Sequence, residues 1–215
     1  PIHYNRVGME PSMVPAVSAM AVYFVWRAIR TARKRDAVLA GAFTALGLYT
    51  YPAGRAVPLV VALVMAYHLF LVRDFNRRVA RNFGIAAVVA FIALIPLGLY
   101  FVQNPNWFLL RMHQTTLPTL GSESPIAAIQ TGLKNTLLGF FWRGDENWRQ
   151  NFPGRPAFDP AQIVIVLVGL AACARRMKQS PYWYLLIWAG VGLLPTILTE
   201  YSPHFGRALG ATVPL

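Results

Sequence analysis

The sequence is divided into long apolar runs separated by short connectors rich in arginine and lysine. Of its 215 residues, 56% are hydrophobic and 13% are charged. An apolar helix needs about 20 residues to cross a bilayer, and these runs approach that length instead of alternating with polar residues at amphipathic spacing. A water-soluble domain is therefore disfavoured. The pattern predicts an all-α membrane protein, a multi-span transmembrane helical bundle.

Six segments of the chain are predicted to span the membrane, and together with a long loop over 103–160 they form one partial transmembrane domain, residues 1–215. The spans are 11–29, 37–54, 56–72, 83–102, 161–174 and 182–199. Only the YPAGR sequence separates the second from the third, so these two are expected to form a tight helical hairpin or a broken pair of helices.

The basic residues predict the orientation of the bundle. Connectors after the first, third and fifth spans carry 12 basic and 2 acidic residues, a balance of 12 − 2 = +10, whereas the other 8 basic and 6 acidic residues give 8 − 6 = +2. Short loops rich in Lys and Arg stay in the cytoplasm, so the opposite face is predicted to lie outside it. Because the cations fall between apolar runs and not along one stripe, nucleic acid is not an expected partner.

A helix of about four turns is predicted within the long outer loop. Ser124 can cap it and Pro125 suits its first turn. Apolar residues then recur at helical spacing at Ile126, Ile129, Leu133, Leu137, Phe140 and Phe141. This pattern predicts a helix lying in the membrane interface with Gln130 and Lys134 toward water. It could be a substrate lid or simply cover the spans.

Arg55 follows a Pro-Ala-Gly turn inside an apolar stretch. Its guanidinium offers a fork of donors that matches phosphate, although an arginine that snorkels to the interface is the alternative. Tyr51, beside it, is assigned to the same candidate substrate-binding site, with an ordinary interfacial aromatic as the alternative.

Two more groups of ionisable residues are candidates on the outer face. Arg6 and Glu10 stand four residues apart before the first span, and could bind substrate or metal or form a structural ion pair. Glu200, His204 and Arg207 bring an acid, an imidazole and a fixed cation within about two turns, where the histidine could donate to phosphate, relay a proton or serve only as a hydrogen-bonded residue.

The stretch from Phe141 to Pro160 is rich in Trp, Arg, Asn and acids. Trp148 and Phe152 are expected to pack the loop, with stacking on a sugar as the alternative. The neighbouring acids Asp145 and Glu146 alone make a poor metal site, so a divalent metal stays open as a cofactor and its ligands are unknown. The sequence holds no glycine-rich phosphate loop, and Cys173 reads as a small core residue.

Four segments together resemble a known family: RVGMEPSMVP, GLYTYPAGRAVPL, FWRGDENWRQNFPGRPAFDP and SPHFGRALGA. They are similar to bacterial integral-membrane glycosyltransferases of the dolichyl-phosphate-mannose protein mannosyltransferase type, within the C-type glycosyltransferase superfamily. The resemblance implies a membrane enzyme of the bacterial plasma membrane with its active face outside the cytoplasm. It would transfer a sugar from a polyprenyl-phosphate carrier to a protein, lipid or glycan acceptor.

The resemblance also implies roles for single residues. Glu10 is similar in position to a second functional acid, usually an aspartate in the family, and is the catalytic candidate of this chain. Arg55 resembles the basic residue that meets the carrier phosphate, and Arg207 with His204 resembles a later basic site. The family's first outer loop with its catalytic aspartate would precede residue 1, so the chain alone is expected to be inactive.

Direct displacement at the anomeric carbon is the mechanism that follows from the resemblance. A carboxylate would take the proton of the acceptor hydroxyl while cations stabilise the departing phosphate. The competing hypothesis is a transporter or flippase for an anionic lipid or solute, in which the same arginines line a passage. A non-catalytic membrane scaffold is a third reading.

Overall fold

The computed structural model describes residues 10–72, 76–107, 124–199 and 201–215, which form helices joined by turns and loops. The helices are α1 (Met13–Thr31), α2 (Lys34–Thr50), α3 (Ala56–Tyr67), α4 (Arg77–Gln103), α5 (Pro125–Phe141), α6 (Pro160–Arg175), α7 (Ser180–Ile197) and α8 (Phe205–Ala208). Short 3-10 turns cover Glu10–Ser12, Pro52–Arg55 and Leu209–Ala211, and a π-helical turn, His68–Val72, continues α3. The predicted all-α fold class is confirmed.

All six segments predicted as spans are helical, with bounds that differ by a few residues. The largest difference is at the predicted 83–102 segment, where α4 already begins at Arg77. The predicted 37–54 segment differs at its end, because α2 stops at Thr50. Tyr51 is extended, with φ −152° and ψ 153°, and Pro52 opens the 3-10 turn that leads into α3. A residue before proline is pushed out of the helical region, which explains why the helix stops there. The predicted hairpin is thus a helix, a 3-10 turn and a second helix.

The long helices alternate in direction. α1, α2 and α4 pack side by side, while α3 packs against α7. The side-chain amide of Asn82 donates to the carbonyl of Arg33, just before α2, at 3.4 Å, and the Tyr49 hydroxyl donates to the carbonyl of Ala93 at 2.8 Å, so α2 and α4 run in the same direction. We call the end of the bundle that holds the 52–55 turn the upper end, and the opposite end the lower end.

Small residues bring the helices of the bundle close together. Ala21, Ala40 and Ala86 are buried in the core with valines of α1 and α3. The amide of Asn82 donates to the carbonyl of Ala28 at 3.2 Å, joining α4 to α1 near the lower end. Close approach through small residues and a few interhelical hydrogen bonds is typical of helices packed in a membrane.

Within the described ranges, two helical segments are long and apolar enough to cross a membrane, judged by length and composition. They are Pro52–Val72, of 21 residues, and Arg77–Gln103, of 27 residues. Only 6% of the apolar window in Arg77–Gln103 is buried. Side chains such as Phe91, Ile92 and Leu99 of α4 are instead exposed on the surface of the protein.

The helix predicted after Ser124 is confirmed as α5. The Ser124 hydroxyl accepts from the backbone N–H of Ala127 at 3.3 Å, as a cap should. Of the predicted apolar stripe, however, only Phe140 is buried. The buried residues are Gly132, Thr136, Gly139 and Phe140, whereas Ile126, Ile129, Leu133 and Leu137 are exposed, as are Gln130 and Lys134. α5 therefore docks through small residues and presents large apolar ones outward.

Candidate functional site

The basic residues at the lower end are tied to the helices around them. The Nε atom of Arg27 lies 3.4 Å from the carboxylate of Asp36, which also accepts from the Thr31 hydroxyl at 2.8 Å. Arg30 stacks over the ring of Trp26 at 4.8 Å, and the Arg176 guanidinium donates to the Tyr182 hydroxyl at 2.8 Å. These contacts fit a structural role for the lower cations.

At the upper end, the segment that follows α7 folds back onto that helix and carries His204 and Arg207. The backbone N–H of His204 donates to the hydroxyl of Thr196 at 2.8 Å, and the guanidinium of Arg207 donates to the hydroxyl of Thr199. Both threonines are fully buried. These bonds hold the backbone of His204 against the end of α7 and the guanidinium of Arg207 against Thr199 just beyond it, so an imidazole and a cation lie close together.

Asp145 is a further member of this site, and its position was not predicted from the sequence. Its carboxylate accepts from the backbone N–H of Phe205 at 2.9 Å through one oxygen and from that of Asn147 at 2.9 Å through the other. The side chain is only 4% exposed. Asp145 therefore ties the 142–159 loop to the start of α8, next to His204.

The imidazole of His204 is the most unusual polar group of the cluster. Its Nδ1 atom is buried and has no hydrogen-bond partner among the residues that the structure describes. Burial lowers the pKa of His204 below 6.5, the neighbouring Arg207 lowers this pKa further, and Asp145 acts in the opposite direction. The ring is thus neutral at pH 7, so it can offer one nitrogen to a ligand as a hydrogen-bond acceptor or donor.

A neutral imidazole beside a fixed cation has a limited chemical repertoire. It can bind a phosphate or hydroxyl, and it can hold a proton in transit. Since burial of an unpaired polar atom costs free energy, a ligand atom that reached the buried Nδ1 of His204 would be favoured there.

The other predicted site residues lie at the same end or outside the described ranges. Arg55 is half-buried on the 52–55 turn, and Tyr51 is half-buried just before it, where its carbonyl accepts from the Gly54 N–H at 2.7 Å. Glu10 begins the 3-10 turn that leads into α1. Arg6 and Glu200 lie outside the residues that the structure describes.

Helix α1 connects these parts of the upper end. The 52–55 turn and the 209–211 turn both contact it. An ideal Cβ on Gly210 would lie 3.8 Å from a methyl group of Val14 in the first turn of α1. The beginning of α1, the Arg55 turn and the segment after His204 are therefore neighbours, as the alternation of helices requires.

The neighbouring acids Asp145 and Glu146 do not form a shared metal site. Asp145 is buried on two backbone donors, whereas the exposed carboxylate of Glu146 accepts from Nε of Arg143 at 2.8 Å. Over the described ranges, no group of three or more His, Cys, Asp or Glu side chains could hold a metal ion.

The expectation that Trp148 and Phe152 pack the loop is wrong. Their side chains are 77% and 78% exposed, respectively. The loop is instead held by polar contacts, among them those of Asp145 and a hydrogen bond from the side-chain amide of Asn151 to the carbonyl of Arg155. Both aromatic rings are consequently available to ligands, membrane or other proteins.

Comparison with known proteins adds no relative. No protein-family model, no curated protein and no solved structure matches this chain.

Proposed function

We propose that this chain is part of a membrane glycosyltransferase that moves a sugar from a polyprenyl-phosphate carrier to an acceptor on the outer face of the bacterial plasma membrane. The observation that carries the proposal is the sidedness of the bundle. Arg55, His204 and Arg207 gather at the upper end, while the connectors rich in Arg and Lys lie at the lower end. Such a separation suits an enzyme that binds an anionic, lipid-linked donor on one leaflet.

A membrane environment is supported by the surface of α4. An apolar surface that continues along most of a long helix is rare on a soluble monomer, and the core helix of a soluble protein would be mostly buried. In the most apolar stretch of α4, 6% is buried and the remaining 94% is not. The basic lower end then faces the cytoplasm by the positive-inside rule, and the upper end faces outward.

The proposed reaction forms a bond between an acceptor oxygen and the anomeric carbon of the sugar and breaks the bond from that carbon to the carrier phosphate. A carboxylate takes the hydroxyl proton, and the bonding electron pair leaves with the phosphate oxygen. Because the leaving group is already anionic, fixed cations such as Arg55 and Arg207 suit its departure better than a general acid. Glu10 is the carboxylate of this chain that we assign to this role.

The test is a transfer assay with radiolabelled polyprenyl-phosphate sugars and the complete gene product in liposomes. Arg55→Ala is expected to lower the transfer rate about a hundredfold, the usual effect of removing one group that stabilises a developing charge. Lys134→Ala is the matched control, because this exposed cation lies on α5 away from the turn. Its transfer rate should equal that of the wild type.

Two outcomes would contradict the proposal. Label that crosses the liposome membrane without being transferred would favour the transporter hypothesis. Transfer that is unchanged in a well-folded Arg55→Ala protein would remove the 52–55 turn from the donor site.

A further inference from the structure

A cavity of about 610 Å³ lies between the 150–162 segment and the segment from Phe205 to Leu215. This volume is within the range of small-molecule sites, roughly 300–1,000 Å³. The cavity is distinct from the cluster of His204 and Arg207, since neither of these residues lines it.

The α8 segment separates the cavity from that cluster. Phe205, Ala208, Leu209 and Thr212 line the cavity at a spacing of three and four residues, which is one face of a helical segment. Arg207 lies on the same segment but does not line the cavity, and its guanidinium is bonded to Thr199, whereas the backbone N–H of His204 is bonded to Thr196 of α7. A ligand in the cavity would thus contact the same short segment that carries Arg207.

The inner wall of the cavity is aromatic. The Phe140 ring stacks between Phe158, with centroids 5.3 Å apart, and Phe205, with centroids 6.5 Å apart. At the rim, the exposed ring of Phe152 lines the same cavity. Aromatic faces bind apolar surfaces, including the C–H faces of sugar rings.

The polar groups of the cavity include both donors and acceptors. The exposed guanidinium of Arg155 makes no hydrogen bond or ion pair with the side chains that the structure describes. Asp159 uses Oδ1 to accept from the backbone N–H of Gln162 at 2.8 Å, which leaves its second oxygen available. The amide oxygen of Gln162 accepts from the backbone N–H of Asp159 at 3.0 Å, so its NH₂ group is the part left to donate.

This composition distinguishes among ligand classes. A simple anion would meet the carboxylate of Asp159 as well as Arg155, and an acyl chain would leave both charged groups without partners. A sugar hydroxyl both donates and accepts, so a hydroxylated ring satisfies such a mixture while its C–H face packs on phenylalanine.

We infer that this cavity binds a sugar unit of a carbohydrate, beside the reacting group and not at it. The assignment of that sugar to the acceptor rests on the proposed function, whereas binding itself does not. Binding energy from such a non-reacting unit would help to position the reacting hydroxyl.

The test is saturation-transfer NMR with the complete gene product in lipid nanodiscs, since sugar-based detergents would compete. The probes are soluble neutral oligosaccharides built from mannose, glucose or galactose, at about 10 mM to detect dissociation constants in the millimolar range. Saturation transfer to sugar ring protons is expected for at least one of them.

Two matched pairs of variants locate the site. Arg155→Ala and Phe152→Ala should each weaken binding roughly tenfold, through loss of a charged donor and of a stacking face. Arg149→Ala and Trp148→Ala are the controls, because these residues are exposed in the same loop but do not line the cavity. Both controls should bind like the wild type.

The outcomes separate this inference from the proposed function. Three results would each overturn the inference, even if sugar transfer from the carrier is measured. They are no saturation transfer to any sugar, equal effects of the cavity variants and their controls, and saturation transfer only to lipid acyl protons. Sugar binding that is lost in the two cavity variants would uphold it, even if no transfer from a polyprenyl-phosphate donor occurs.

Discussion

The tether made by Asp145 provides the sharpest test of how the upper end is held together. Asp145→Ala removes the acceptor of two backbone N–H groups, each 2.9 Å from a carboxylate oxygen. A hydrogen bond to a charged group contributes about 1.5–3 kcal/mol. Because Asn147 is exposed, water can replace its bond, and we expect a net loss of about 2–4 kcal/mol, most of it from Phe205.

The loss should be local, since Asp145 joins a loop to the short α8 segment and not the long helices to one another. Trypsin cleavage after Arg207 is a suitable assay, because it requires that segment to open. Each 1.4 kcal/mol changes the open population tenfold, so cleavage in sugar-free detergent should become at least about tenfold faster. Asp145→Asn should give a smaller increase, since its amide oxygen can still accept one of the two bonds.

Glu146→Ala is the control for this experiment, because that neighbouring acid forms only an exposed pair with Arg143. Exposed pairs contribute about 0–1 kcal/mol. Equal cleavage rates in Asp145→Ala and Glu146→Ala would refute the reasoning that the buried carboxylate holds the segment in place.

Two further variants test the packing and the electrostatics. Gly41→Ala should destabilise the bundle by about 1–3 kcal/mol in a detergent unfolding titration, because its Cβ would clash with the Ala86 carbonyl and lie 2.9 Å from Cβ of Val89. Gly84→Ala is the control and should be neutral or slightly stabilising, because no atom lies within 4 Å of its Cβ. Equal effects of the two variants would contradict the α2–α4 contact. Arg207→Gln should raise the pKa of His204, measured by NMR titration, since a cation that disfavours the imidazolium is removed, and an unchanged or lower pKa would show that the two groups are not in electrostatic contact.

The lowered pKa of His204 has a consequence for stability against pH. The unfolded chain binds a proton near pH 6.5, whereas the folded chain does so only at lower pH, so stability is present above pH 6.5 and is lost as the pH falls toward the folded pKa. This loss should be smaller in Arg207→Gln, because the folded pKa moves back toward that of the unfolded chain.

The helices could be predicted from the sequence because apolar length and proline positions act locally. Ser124 and Pro125 gave the start of α5 for the same reason, since a cap depends only on the next few residues. The Asp145–Phe205 bond could not be predicted, because it joins residues 60 apart in the chain. No local signal fixes which backbone N–H a loop carboxylate will meet.

The packed face of α5 was missed for a different reason. Hydrophobicity indicates which face turns inward when the surroundings are water, whereas in the membrane interface proposed for α5 that rule does not apply. The small-residue spacing of Gly132, Thr136 and Gly139 was the relevant signal, because an ideal Cβ on Gly132 would clash with the Ile197 carbonyl. The candidate cluster at His204 and Arg207 was visible as a group of residue types, but its buried Nδ1 atom was not.

The inverted arrangement of α5 has a practical meaning for anyone who handles this protein. Its outward Ile126, 70% exposed, heads a row of aliphatic side chains that continues through Leu137. In the absence of detergent or lipid, copies of the molecule would associate through this ridge as readily as through α4. If the protein lies in a membrane as proposed, a detergent belt that covers only the spanning helices would be too narrow, and lipid would have to reach α5 to keep the molecules dispersed.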